Sequence, residues 1–475
     1  LVRIKRAENL KDVAPVDLGR VLGLDRAPEM KTLRGKVKEL AAAKKGLEFM
    51  RLLAQKRVEQ HADDLGYLYI DGHVRVYGGD VKLPKAYVMQ RRMAMSGTSD
   101  YWVNDQRGQP LLVITAKANE GMTKMLQPVL AEVRTVIGER RATVVFDRGG
   151  WSPKLFELLI DDHWDILTYR KGKTKKVSGR AFQEHSGTID GRKVTYKLAE
   201  KRVRFLGGKL KLRQITVLGE DGYQTNIIAS KEGVLSVELA CRMFDRWRQE
   251  NYFKYMKEEF ALDALVEYGH EAADPTRMVP NPKRKAIDKK LNAAKADLAK
   301  LESEYGAAAF DNRENERRTV RGFKIANGRA IGKPLREARE KVQSVLERRM
   351  HIPTRVTISE ALEDKPVQLR TETKRLTDTF KMIAYQTETA LVDLLRPHYA
   401  RTEDEGRTLI ASALQSAAEL KLSDDEICVR LAAQSSPHRT RAVHAVCGEL
   451  NKIGACYPGT RLRLRFEVAG AEMPQ

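Results

Sequence analysis

The sequence has little cysteine and lacks the long apolar runs of a membrane protein. Its four cysteines are Cys241, Cys428, Cys447 and Cys456, and no two of them form a CxxC pair. This scarcity excludes a disulfide scaffold and a zinc ribbon, and it is typical of a protein from a reducing cytoplasm. No apolar stretch approaches the roughly 20 residues that a membrane-spanning helix needs, so we expect no membrane partner.

Positive charge is what the sequence has in excess. There are 86 Lys and Arg residues against 64 Asp and Glu, which gives a formal net charge of +22. Residues 170–213 alone hold 15 basic and three acidic residues. A basic block of this density attracts polyanions because their binding releases counterions. We therefore expect a phosphate-bearing partner.

Strand and helix patterns alternate along the chain, which predicts a mixed α/β fold. Apolar residues at helical spacing predict one helix over residues 30–60 and another from about Val234 to Leu265. Residues 314–370 resemble a basic loop. Because the chain begins at Leu1 without an initiator Met, we expect a fragment. We predict four regions: a helical one at 1–63, an α/β domain at 64–270 with a β-rich insertion at 177–230, a basic helical hairpin and linker at 271–370, and a mainly helical region at 371–475 that ends in a short strand.

Asp147 directly follows the apolar run Val144–Phe146, in the segment VVFDRGGWS. That run is typical of a strand buried on both faces, and the glycines after it predict a tight turn. Ligands of open α/β sheets bind at the carboxyl ends of the strands, where Asp147 would lie. An aspartate at this position also commonly caps the following turn, so both interpretations stay open.

Two further acids complete a candidate carboxylate site. Asp71 lies in the strand-like segment YLYIDGHV, and Glu250 lies in the helix-like segment RWRQENYFKYMK. At about 100° per residue, Arg246 and Lys257 fall on the same helical stripe as Glu250. Ordinary surface ion pairs would give the same stripe. If the three acids meet, however, their hard oxygen donors suit Mg²⁺.

These segments resemble the three catalytic segments of bacterial insertion-sequence DDE transposases, whose RNase H-like domain carries a β-rich insertion. The family's third segment is Tyr, two residues, Arg, three residues, Glu, six residues, Lys. Arg246, Glu250 and Lys257 keep that spacing, but Met243 stands where the Tyr belongs. The resemblance covers about residues 66–265 and includes TNIIAS at 225–230.

The resemblance implies an RNase H-like mixed sheet with helices on both faces, and a transposase that cleaves transposon ends and joins them to target DNA. Asp71, Asp147 and Glu250 would bind two Mg²⁺ ions, with Mn²⁺ as an alternative. Basic side chains would hold double-stranded DNA at the transposon ends and the target; these are Arg246, Lys257, Lys254 and Arg148. The implied partner is a second copy in a homodimer on DNA, in the bacterial cytoplasm at the nucleoid.

Several alternatives remain open. Asp100 and Asp105 are nearby candidates for the first acid. We expect His73 to have a packing or turn role, and Trp151 and Trp247 to be buried rather than to stack on a DNA base. A nuclease that stops at hydrolysis, or an inactive, domesticated DNA-binding descendant, would fit the same residues.

Overall fold

The chain forms two compact units in the computed structural model. One unit comprises Leu1–Gly269 with Arg370–Gln475, and the other comprises His270–Leu369. The structure describes residues 4–22, 24–79, 85–88, 93–116, 120–264, 266, 269–310, 328–361 and 367–470. Within these residues no helix is both long and apolar enough to cross a membrane.

The first unit begins with three helices: α1 (Pro15–Val21), α2 (Met30–Ala42) and α3 (Gly46–Gln60). The prediction of one helix over residues 30–60 is wrong, because the chain breaks between α2 and α3. Lys44 adopts a left-handed conformation with φ of 54° there, which an α-helix cannot accommodate. The break allows Met50 and Ala54 of α3 to be buried in the core.

A large sheet forms the centre of this unit. Its first half contains β1 (Tyr67–Val76), β2 (Lys85–Val88), β3 (Met93–Asn104), β4 (Pro110–Thr115), β5 (Thr143–Phe146) and β6 (Asp165–Tyr169), with α4 (Met122–Ile137) and α5 (Pro153–Asp161) between the later strands. Strand β1 pairs antiparallel with β3 and parallel with β5, and β5 pairs parallel with β6. Strand β4 pairs antiparallel with β3. The prediction of a mixed sheet is therefore confirmed.

The β-rich stretch continues this sheet. It consists of β7 (Gln183–Ile189), β8 (Arg192–Phe205), β9 (Leu210–Leu218) and β10 (Gln224–Ala229). Strand β10 pairs antiparallel with both β6 and β9, so the order across the sheet is β2-β3-β1-β5-β6-β10-β9-β8-β7, with β4 also beside β3. The basic stretch is thus hydrogen-bonded to the same sheet that carries Asp71 and Asp147.

Helices α6 (Ser236–Phe244) and α7 (Trp247–Phe260) follow β10. We predicted one helix here, but Asp245 and Arg246 separate two. The buried carboxylate of Asp245 accepts hydrogen bonds from Arg192 of β8, at 2.7 Å from Nη2 to Oδ2. This contact fixes the chain at the break and leaves Arg246 and Trp247 at the start of α7.

Side chains alternate between the two faces of β1, as the strand period of two requires. Leu68 and Ile70 belong to a core that includes residues of α4, α5 and α7, whereas Tyr67 and Tyr69 belong to a second core that includes residues of α6. The central strands are therefore buried on both faces, which explains the unbroken apolar run before Asp147.

The second unit contains two long helices and short paired strands. Its elements are β11 (His270–Ala272), β12 (Met278–Pro280), α8 (Pro282–Phe310), α9 (Gly328–Met350), β13 (Arg355–Thr357), α10 (Ile358–Ala361) and β14 (Val367–Leu369). Leu291 and Ala294 of α8 pack against Val342 and Val345 of α9, which gives an intramolecular helical hairpin. The prediction of a loop at 314–370 is wrong over α9, because its apolar residues recur at helical spacing. Residues 311–327 and 362–366 of that prediction lie outside the described residues.

The C-terminal part of the first unit contains α11 (Glu372–Leu395), α12 (Thr402–Gln415), β15 (Ala418–Leu422), β16 (Glu426–Leu431), α13 (Pro437–Ile453) and β17 (Arg463–Val468). Strand β16 pairs antiparallel with β15 and parallel with β17. The helices agree with the mainly helical region predicted at 371–475, but of the three strands only β17 was predicted from the sequence. Helix α11 places Met382 and Tyr385 in the same core as Leu68 and Ile70 of β1.

Candidate active site

Strand register brings Asp71 and Asp147 side by side. Ile70 of β1 lies opposite Phe146 of the parallel strand β5, and each aspartate is the next residue of its chain. Asp147 also caps the turn that follows, because its Oδ1 accepts a hydrogen bond from the Gly149 N–H at 2.8 Å. The turn-capping role considered from the sequence is therefore present, and it leaves the second carboxylate oxygen of Asp147 available to another ligand.

The surroundings of Asp71 disfavour the ionised form of its carboxyl group. Burial raises its pKa to about 6; the cation of Arg246 and the Gly72 N–H oppose this rise, whereas Asp147 and Glu250 add to it. Like charges act in this way only when they are close together. The environment of Asp71 therefore contains both of the other acids predicted for the site.

Arg246 links two of the three acids. Its Nη1 donates to Asp71 Oδ2 at 3.1 Å, and its Nη2 donates to Glu250 Oε1 at 2.5 Å. The guanidinium is mostly buried, with 15% of the side chain exposed, whereas the Glu250 side chain is 58% exposed. A cation thus compensates part of the negative charge of the site, and Glu250 remains accessible from solvent.

The other predicted DNA-binding residues lie at different depths. Lys257 Nζ is 3.8 Å from Asp263 Oδ2, so this lysine is partly neutralised. Lys254 is exposed on α7. Arg148 is exposed beside Asp147, with its guanidinium 5.7 Å from the ring centroid of Tyr169.

His73 and Trp151 take the packing roles that we expected. The His73 imidazole is buried, stacks on Phe253 at 5.2 Å between ring centroids, and has Nε2 2.6 Å from Asp263 Oδ1. Trp151 packs edge-on against Phe156. The prediction of burial is wrong for Trp247, which is 50% exposed next to Arg246, because the break between α6 and α7 places it at a helix start.

The alternative acids have structural partners of their own. Asp100 is fully buried with Lys374 Nζ at 2.7 Å from its Oδ1. Asp105 is buried, and its Oδ2 accepts from Arg57 Nη2 at 2.5 Å. Each carboxylate is therefore compensated within the fold. Met243, at the position of the family's Tyr, is a residue of α6 and is buried in the second core.

Two tyrosines near the acids were not found from the sequence. Thr168 lies opposite Phe146 in the pairing of β5 with β6, so Tyr169 is level with Asp147. Tyr101 lies opposite Gly72 in the pairing of β1 with β3, and burial together with Asp147 and Asp71 raises its pKa to about 12. The sequence analysis did not use strand register. If Asp71 and Asp147 are placed side by side on paired strands, the residues level with them on the next strands can be proposed as well.

The donor atoms suit a hard divalent cation in type, because they are carboxylate oxygens. Asp71 and Asp147 form an adjacent pair, but the guanidinium of Arg246 lies between Asp71 and Glu250. Accordingly, no set of three or more His, Cys, Asp or Glu side chains in the described part of the chain is arranged to hold a metal ion. Three-acid coordination would require Arg246 to change its rotamer.

Comparison with known proteins gives one family. A family model with the description "Transposase protein" matches residues 1–470. A search of curated proteins finds no match to this chain.

Proposed function

The chain belongs to this transposase family, and from that premise we propose that it is a DDE-type enzyme of a bacterial insertion sequence, with Asp71, Asp147 and Glu250 as its catalytic acids. It would cleave DNA at transposon ends and join the freed 3′ ends to target DNA. The observation that carries the proposal is the adjacent placement of Asp71 and Asp147 at neighbouring parallel strands.

The topology supports an RNase H-like catalytic domain. Reading outward from β4, the order β4-β3-β1-β5-β6 has three antiparallel strands followed by two strands parallel to β1. We propose that this half of the sheet is the RNase H-like part, and that β7–β10 are the family's β-rich insertion. A carboxylate on the central strand and another after its parallel neighbour then share one edge of the catalytic sheet.

The acids are proposed to bind Mg²⁺, or Mn²⁺ in its place. Two such ions would supply Lewis acidity at the attacking and leaving oxygens of a phosphodiester. Asp71 and Asp147 would hold the ions from the sheet side, and Glu250 would join them when Arg246 releases it. Burial raises the pKa of Asp71 to about 6, so cation binding would compete with a proton at this residue below that pH.

The cations are proposed to hold DNA around these acids. Released from Glu250, Arg246 could turn to a phosphate, and a guanidinium pairs well with phosphate oxygens. Lys254 and Arg148 are exposed, Lys254 about one turn of α7 beyond Glu250 and Arg148 directly after Asp147, and Lys257 lies about two turns beyond Glu250. Phosphate contacts of this kind position DNA without reading its sequence.

The assembly is proposed to act on double-stranded DNA as a homodimer that pairs two transposon ends. The implied setting is the bacterial cytoplasm, in association with the nucleoid. A net charge of +22 supports a polyanionic partner independently of the site.

The test uses a supercoiled plasmid that carries the DNA flanking both sides of the gene, incubated with the purified chain and MgCl₂. We expect Asp147→Asn to abolish nicking and joining. Asparagine caps turns as well as aspartate does, so the turn at Gly149 should persist and DNA binding should be retained. Asp161→Asn, an equivalent change at an exposed residue of α5, is the matched control and should be fully active.

The outcomes separate the candidate functions. Undiminished cleavage by Asp147→Asn would refute the catalytic assignment. Cleaved plasmid without joined products would indicate a nuclease. Salt-dependent binding by the wild-type chain without Mg²⁺-dependent cleavage would favour a DNA-binding descendant, a reading that the Arg246 bridge between Asp71 and Glu250 supports.

A further inference from the structure

In the three-stranded sheet of the C-terminal part, no strand of the described residues pairs with the outer edge of β15. Strand β16 lies in the middle, with β15 on one side and β17 on the other. All five residues of β15 are exposed, including Leu420 at 42% and Leu422 at 74%. The outer edge of β17 is partly covered, since the Leu464 N–H donates to the Ala455 carbonyl. An exposed strand edge that carries apolar side chains can pair with another chain.

The hydrogen-bond pattern fixes which backbone groups face outward. The Ser423 N–H donates to the carbonyl of Glu426, the first residue of β16, and the Ala432 N–H donates to the Ala417 carbonyl. Antiparallel pairing alternates along a strand, so the odd-numbered residues of β15 bond to β16. The N–H and C=O groups of Ala418, Leu420 and Leu422 consequently point away from β16.

The sequence of β15, AELKL, is complementary to itself when a second copy runs antiparallel about Leu420. In this register Leu420 faces Leu420 of the second copy, and Ala418 faces Leu422. These are the residues with outward backbone groups, so they would form the hydrogen-bonded pairs. Glu419 then faces Lys421 on both sides of the two-fold axis, in non-hydrogen-bonded pairs whose side chains approach most closely.

The charged side chains are available for this pairing. Neither Glu419 nor Lys421 forms an ion pair with another residue in the described ranges. Any other symmetric register would lose one of these features. If the two-fold axis passes between two residues, residues with outward backbone groups face residues whose groups point to β16. If the axis passes through another residue of β15, like charges face each other or the Glu419–Lys421 pairs are lost.

We propose that β15 is a homodimerisation strand, which pairs antiparallel with β15 of a second copy through Leu420 and two Glu419–Lys421 ion pairs. The result is a continuous six-stranded sheet across a two-fold axis. The pairing stands independently of the catalytic assignment, although it would supply the homodimer that two-end cleavage needs. Five residues per copy form a small interface, so the dimer is expected to be weak without DNA.

Disulfide trapping tests this register on the full chain without DNA. Opposite residues of a hydrogen-bonded pair have Cα atoms about 5.5 Å apart, within the range that a disulfide bridges. In a Cys456→Ser background, which removes an exposed cysteine, Leu420→Cys should yield covalent dimer on mild oxidation. Leu422→Cys is the matched control on the same strand, because its partner in this register is Ala418. It should yield little.

Charge exchange provides the second arm, in the Leu420→Cys background. Glu419→Lys creates two Lys–Lys contacts, and Lys421→Glu creates two Glu–Glu contacts. Each should reduce the yield of covalent dimer about tenfold, because two attractive cross-strand pairs become repulsive. Mixing the two variants restores opposite charges at both contacts, so heterodimer should form at close to the original yield.

Two results would overturn the proposal. Equal trapping of Leu420→Cys and Leu422→Cys would indicate unspecific association rather than this register. Failure of the mixed charge variants to form heterodimer, with both variants folded by circular dichroism, would exclude the Glu419–Lys421 pairs. Plasmid cleavage is not part of the readout, so failure here leaves the proposed activity standing.

Discussion

A buried ion network connects α11 to the strand that carries Asp71, and its removal should destabilise the first unit. Asp378 is fully buried, and its Oδ1 and Oδ2 accept from Arg75 Nη2 at 2.9 Å and Lys374 Nζ at 2.8 Å. Lys374 also contacts the buried carboxylate of Asp100. Burial alone would raise the pKa of Asp378, but the neighbouring cations hold it well below its usual range.

Asp378→Ala should lower the free energy of unfolding by about 3–5 kcal/mol, since it leaves a buried guanidinium without the carboxylate that it contacts. For a unit of this size we expect a fall in Tm of roughly 4–6 °C by calorimetry. Because its folded pKa is lowered, Asp378 stabilises the fold above the unfolded-state pKa of about 3.9, and this contribution is lost as the pH falls further. Asp424→Ala, at an exposed acid, is the control and should change Tm little.

The double variant Arg75→Met with Asp378→Leu sharpens this prediction. Removing both partners leaves no isolated charge between them, so the double variant should cost clearly less than the sum of the two single changes. Additivity within about 0.5 kcal/mol would refute the reasoning, as would a cost of Asp378→Ala below about 1 kcal/mol. Either result would mean that water or rearrangement compensates Arg75.

Three further predictions concern the acidic site. Asp71→Asn should raise Tm at pH 7 and abolish cleavage. Burial raises the pKa of Asp71 to about 6, so ionisation of this carboxyl destabilises the folded state as the pH rises from about 4 to 6. An unchanged Tm would contradict this. Arg246→Ala should raise the pKa of Asp71 above 6, measured by carboxyl NMR titration, since the opposing cation is removed; a lower pKa would contradict the geometry. Trp247→Ala should weaken DNA binding several-fold with Tm unchanged, because the ring is 50% exposed. Leu158→Ala, at 51% exposure on α5, is its control, and equal binding by both variants would exclude a DNA contact for Trp247.

Local sequence patterns predicted the elements whose conformation depends mainly on interactions within one segment. The run before Asp147 and the glycines after it led to the correct strand and turn. The break before Trp247 was missed because the sequence there keeps helical spacing, and the interruption depends on the contact of Asp245 with Arg192, 53 residues away. Likewise β15 is short and exposed and β16 is short and half-buried throughout, so neither shows the alternation of buried and exposed residues that identifies a strand.

The candidate site shows the same division. Spacing alone predicted that Arg246, Glu250 and Lys257 share one stripe of a helix, because positions on one helix depend only on local sequence separation. The Arg246–Glu250 pair is the ordinary helical ion pair considered from the sequence, but the contact of Arg246 with Asp71 could not be predicted, because it depends on where β1 meets α7. The structure shows Arg246 in contact with two acids rather than free in solution. A site that neutralises its own carboxylates avoids the cost of bringing three negative charges together without a counter-charge.

That pairing gives Arg246 a second significance. A cation that is held by Asp71 and Glu250 in the free chain is a competitor for the divalent ions proposed there, so ion binding and the release of Arg246 must be coupled. The released guanidinium would then lie one residue before the exposed Trp247. Under this coupling, divalent ions should strengthen DNA binding by the wild-type chain. They should not do so for Arg246→Ala, whose acids would bind the ions without freeing a phosphate ligand.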